Sequence, residues 1–134
     1  MAPTECTSEI NYLLEDSSRQ TDGVGPIIDV SSSRCKLLII TLCIDRALER
    51  ESLAVSIWGS RDRMDWGKEP LLRFSEKCYC GMYSVLLNLA TDPDIRYLQA
   101  QWRMQRWTKE ASSPFFEFGV LMQPSGSRSL SAHA

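Results

Sequence analysis

The stretch SIWGSRDRMDWGKEP, Ser56 to Pro70, sets Trp58 and Trp66 on either side of the charged run Arg61-Asp62-Arg63-Met64-Asp65. Aromatic rings bracketing charge are the ingredients of a ligand platform, and equally of a tight turn whose ends are pinned by packing. Four tryptophans, Trp58, Trp66, Trp102 and Trp107, are generous for 134 residues. Indole faces stack on sugar rings, so the candidate ligand-binding residues are Trp58, Trp66 and Trp107, with Gln101 and Arg103 as polar partners. Against this stands the rule that a large aromatic is more often covered than bare. Trp102, aligned with Leu98 and Met104, is expected in the core, and Trp66 is expected as a packing anchor behind a turn.

Other constellations carry less chemistry. The one histidine, His133, lies two positions from the end of a Ser-rich segment, QPSGSRSLSAHA, with no expected frame for Cys-His or Ser-His catalysis. The carboxylates Asp62, Asp65, Glu69, Asp92 and Asp94 fall in turn-like stretches beside Arg, Lys or Pro, where acids serve conformation. Calcium at Asp62, Asp65 and Glu69 would meet the opposing charge of Arg61, Arg63 and Lys68. Cys78-Tyr79-Cys80 would put two thiols on one face of a strand, but two ligands do not complete a zinc site. No G-x-S-x-G, Walker or dinucleotide pattern occurs. Neither an enzyme, a metal nor a cofactor is therefore expected.

The frame that positions these residues reads as strands. Apolar residues alternate with period two in EINYLLE (9–15), IIDVS (27–31), LAVSIWGS (53–60), PLLRFSEK (70–77), MYSVLLNLA (82–90), IRYLQAQWRMQRW (95–107) and PFFEFGVLM (114–122). CKLLIITLCID (35–45) is apolar on both faces, as a central strand covered on both sides would be. RALERES (46–52) reads as a loop, and DSSRQTDGVGP (16–26) and TDPD (91–94) as turns. Leu53, Val55 and Ile57 point one way while Ala54, Ser56 and Trp58 point the other. Tyr97, Gln99, Gln101, Arg103 and Gln105 form a wet face opposite Leu98, Ala100, Trp102 and Met104. About eight short strands predict a single antiparallel β-sandwich, jelly-roll-like or Greek-key, over residues 1–122, with a flexible tail at 123–134.

A formal charge of −2, with 15 basic residues spread among 17 acidic ones, gives no basic face for nucleic acid. The acidic opening MAPTECTSEINYLLEDSS has no signal-like apolar run, and no membrane span is evident. Five cysteines without a repeating spacing make a poor disulfide framework, so a reducing compartment is expected: cytoplasmic, or associated with a virion.

GPIIDVSSSRCKLLIITLCI, ESLAVSIWGSRDRMDWGKEPLLRF, CGMYSVLLNL and DIRYLQAQWRMQRW followed by PFFEFGVL together resemble small, mostly uncharacterised β-sandwich proteins of bacteria and of the head and tail gene neighbourhoods of tailed phages. The resemblance spans roughly residues 24 to 122. It implies a virion-type or assembly sandwich whose partner is a protein or a second copy of itself. Where that pattern carries Asp-Gly in a hairpin, this chain has Asp62-Arg63-Met64. The same hairpin is similar to Asp-box and discoidin-like sugar-binding turns, with Ser60 and Asp62 in place. That likeness keeps a glycan as the alternative partner.

Overall fold

Alternation in sequence becomes layering in space. The computed structural model describes residues 11–31, 35–47, 51–106 and 116–125. Among the described residues nine strands run in chain order: β1 (Asn11–Arg19), β2 (Gly23–Val24), β3 (Ile28–Asp29), β4 (Leu37–Ala47), β5 (Glu51–Ser60), β6 (Leu72–Arg73), β7 (Gly81–Asn88), β8 (Tyr97–Arg106) and β9 (Phe116–Pro124). They form two antiparallel sheets. The first has the order β1-β9-β4-β7, and the second has β2-β8-β5-β6 with β3 also paired to β8. The predicted all-β sandwich is the observed fold.

The long strands β4, β5, β8 and β9 each turn one apolar face inward, because period two sends alternate residues to opposite sides of the sheet. Leu38, Ile40, Leu42 and Ile44 of β4 and Phe116, Phe118, Val120 and Met122 of β9 meet Leu53, Val55 and Ile57 of β5 and Leu98, Ala100 and Met104 of β8. The β5–β8 ladder is unbroken from Glu51 opposite Arg106 to Ser60 opposite Tyr97, which fixes every outward side chain on this sheet.

Several expectations are corrected. β4 is interior within its sheet, but its outward face is only partly covered: Leu37 is 38% exposed, Ile39 and Cys43 are half-buried, and Thr41 alone between them is buried. Its two-sided apolarity is therefore a surface property of the outer face. The expected turn at 16–26 holds the second half of β1 and all of β2, with β1 bulged between Tyr12 and Leu14 and again between Leu14 and Ser17. Gly119 makes room for that bulge, since a Cβ there would lie 2.8 Å from the Asp16 backbone. Glu51 and Ser52, expected in a loop, open β5 and are buried. Cys78, Tyr79 and Cys80 lie between β6 and β7, not on an extended strand, and Tyr79 is 78% exposed. β9 continues through Gln123 and Pro124, paired with Ile39 and Leu38. Cys35 is disulfide-bonded, against the expectation of reduced cysteines, whereas Cys43, Cys78 and Cys80 keep free thiols. No helix among the described residues is long and apolar enough to cross a membrane.

Candidate functional site

The turn after β5 is built by short polar side chains. Ser60 Oγ accepts hydrogen bonds from the backbone N–H of Asp62 (3.2 Å) and Arg63 (2.9 Å), and donates to Asp62 Oδ1 at 3.1 Å. Asp62 Oδ1 accepts from the N–H of Met64 (2.8 Å) and Asp65 (2.9 Å), and Asp65 Oδ1 from Gly67 N–H (2.9 Å). These donors, led by the Asp65 and Met64 amides, hold the Asp62 carboxyl below its ordinary value. Arg63 takes a positive φ, 72°, a conformation that glycine adopts more readily. Its guanidinium rests 4.8 Å from the Tyr97 ring. Asp62 and Asp65 thus serve the turn, and Trp66 behind them is half-buried.

Trp58 is different. It leaves β5 on the outer face of the second sheet, is half-buried, and donates its indole N–H to Ser56 Oγ at 2.9 Å. Cross-strand register puts Arg73 and Gln101 on either side of Ser56, and Arg103 beside Ala54. These six residues line a cavity of about 230 Å³. Small side chains, Ala54 and Ser56, form its floor; Trp58, Arg73, Gln101 and Arg103 form its walls. Three of the five sequence candidates, Trp58, Gln101 and Arg103, are brought together here. Trp66 is not among the lining residues, and Trp107, like His133, lies outside the described residues.

Trp102 sits on the core face as its alternation requires, yet is half-buried at the margin of the core. Its N–H donates to Thr21 O at 2.8 Å and its ring meets Phe118 edge-on at 5.7 Å. Arg19 covers this corner, 5.0 Å from the Trp102 ring and 4.8 Å from that of Phe118, with Nη1 donating to Phe118 O at 2.6 Å.

A second cluster escaped the sequence reading. Asp16, Asp45 and Glu117, from β1, β4 and β9, bring carboxylate oxygens within 4.8 Å of one another. A hydrogen bond to Asp45, then burial and the charges of Asp45 and Glu117, push the Asp16 carboxyl up to about 6, with Arg19 pulling the other way. The arrangement can share a proton. These are also the described carboxylates that could hold a cation, although Arg46 already lies 3.7 Å from Glu117. Burial first, then the charges of Asp45 and Asp16, raise the neighbouring Cys43 thiol, which disfavours thiolate chemistry. Nothing local in the sequence signals this cluster, because its members are brought together by strand pairing and two bulges.

The outer face of the first sheet carries exposed apolar side chains. Met82 is 71% exposed and Leu86 57%, both on β7, with Leu37 and Ile39 of β4 and Leu121 of β9 beside them. In comparisons with known proteins, no family model and no curated protein matches the chain.

Proposed function

We propose that the protein is a non-enzymatic interaction module that associates with a second copy of itself through the free edge of β7, in the manner the phage and bacterial sandwich resemblance implies for an assembly protein. One observation carries this reading. β7 is an eight-residue edge strand, GMYSVLLN, with no charged residue and no proline. Its ladder with β4 runs without a register shift from Leu37 opposite Asn88 to Ile44 opposite Gly81, and among the described residues no strand pairs with its other side. Unpaired N–H and C=O groups on a flat, apolar edge are a template for another strand. The disulfide at Cys35 is also compatible with a virion surface more than with a reducing cytosol.

Symmetry restricts the pairing. Two β7 strands related by a two-fold axis run antiparallel, and opposed residues must share a face of the sheet. With Ser84 on the axis, Met82 of each copy lies opposite Leu86 of the other. This register covers the two most exposed apolar side chains of β7. Opposed Cβ atoms in such a ladder are about 4.5–5.5 Å apart, near the span of a disulfide. Ser84→Cys is therefore expected to cross-link into a covalent dimer under mild oxidation, far faster than wild type or Lys68→Cys on the β5–β6 connection. Equal rates for the two variants would remove this edge as the contact.

A second reading has its own observation. The Trp58 groove, with Gln101 and Arg103 on its walls, has the parts of a carbohydrate-binding site on a face that β7 pairing leaves open.

A further inference from the structure

We infer that the Trp58 groove takes an acidic saccharide, its ring against the Trp58 indole and its carboxylate on Arg73 and Arg103. This rests on the carbohydrate reading of that groove and goes beyond it by fixing the ligand's charge.

Both arginines line the cavity and both are exposed. Neither takes part in the ion pairs Arg46–Glu117 and Arg61–Asp94, and neither has a side-chain hydrogen bond to a described residue. From sheet spacings, their Cα atoms are about 12 Å apart, two strands across and two residues along. Guanidinium groups on long side chains can converge from that distance over the small floor of Ala54 and Ser56. Two cations with no carboxylate partner among the described residues, beside one concavity, favour an anion, and arginine recognises a carboxylate by paired N–H donors.

Trp58 decides what carries that carboxylate. Its indole N–H is already used by Ser56 Oγ, so the ring offers its flat apolar surface and not a polar tip. Such a surface suits the C–H face of a sugar ring, and Gln101 adds an amide that can donate to and accept from hydroxyl groups. The cavity, about 230 Å³, is smaller than a drug-sized pocket and suits one ring more than an extended polymer. With a net charge of −2 over the chain, the attraction is local to the groove, unlike the broad basic face of a nucleic-acid binder.

Calorimetry with the full chain tests this using a galacturonate trisaccharide, the neutral galactose trisaccharide and a tri-glutamate peptide. The expected result is binding of the uronate, at least about tenfold weaker binding of the neutral sugar, and weakening of uronate binding by salt. Arg73→Ala and Arg103→Ala, both at exposed positions, should each cost roughly tenfold, and Trp58→Ala more. Uronate affinity unchanged in both arginine variants would overturn the inference. Equal binding of the neutral trisaccharide, lost in Trp58→Ala, would keep the carbohydrate reading and overturn the charge assignment. Tri-glutamate binding as tightly as uronate would overturn it in favour of an acidic peptide. Binding of none of the three would remove both this inference and the carbohydrate reading.

Discussion

The two sheets share one core yet treat their edges and outer faces in opposite ways. On the second sheet, the long strands β5 and β8 are flanked by the two-residue strands β2, β3 and β6. Very short edge strands leave little backbone for a foreign strand to pair with. The outer face of that sheet is polar and grooved, with Gln99, Gln101 and Arg103 on β8 and Trp58 on β5. On the first sheet, β1 protects one edge by bulging twice, a device that twists an edge out of register. β7, at the other edge, has neither brevity, bulge, charge nor proline. Among the described residues three edges carry a guard and one does not, and that one borders the apolar outer face.

The largest expected effect breaks both sides of this comparison at once. Phe118 is fully buried on β9, against Trp102 of the opposite sheet and under Arg19. Phe118→Ala should lower the unfolding free energy in urea by about 3–5 kcal/mol. A loss below about 1 kcal/mol would mean that the two sheets do not meet there as described. Next comes a guard. Gly23 on β2 lies opposite Trp102, and a Cβ there would fall 2.6 Å from Trp102 Cζ2. Gly23→Ala should cost about 1–3 kcal/mol and uncover the β8 edge, so that the variant gains a self-association that Leu86→Lys does not suppress. Gain of stability would show that β2 is not held by this contact.

The smallest effect separates the acidic corner from the apolar face beside it. The Asp16 carboxyl is raised to about 6 from 3.8. The stability it contributes is complete below 3.8 and is lost as pH rises through about 6. Asp29 and Asp62 are shifted the other way, by hydrogen bonds from Ser31 and from the turn amides, so their contribution is lost only in more acidic solution. Between pH 4 and 7 the wild-type melting temperature should therefore decline by a component absent from Asp16→Asn. Solvent screening of this exposed pair keeps that component to about 1–2 °C. Parallel pH profiles for the two proteins would remove the shared proton.

The second sheet was the more legible in sequence. One face of β5 and β8 is buried and the other is wet, so Leu53, Val55 and Ile57, and Leu98, Ala100 and Met104, announce their side by alternation alone. The first sheet was misread for a physical reason. The apolar residues of β4 point both ways, and a covered face and an exposed sticky face have the same composition. Two-residue strands such as β2 and β6 are too short for any periodicity. Arg63 in a left-handed conformation is invisible because the residue type disfavours it, although Ser60 and Asp62 signalled the turn that requires it. Trp58, Gln101 and Arg103 were found as separate candidates. Arg73 was missed because its place in the groove depends on the pairing of β6 with Ser56. Asp16, Asp45 and Glu117 needed three strands and two bulges to meet.

The claim that one unguarded edge makes this sandwich an interaction module is tested most directly by light scattering across a concentration series of wild type and Leu86→Lys. A charge at position 86 would meet Met82 of the second copy and, being exposed, leaves the fold intact. The account predicts a wild-type mass that rises with concentration to twice that of the chain, and a variant that stays at the mass of one chain. Wild type remaining at the mass of one chain throughout, or Leu86→Lys dimerising equally well, would contradict it.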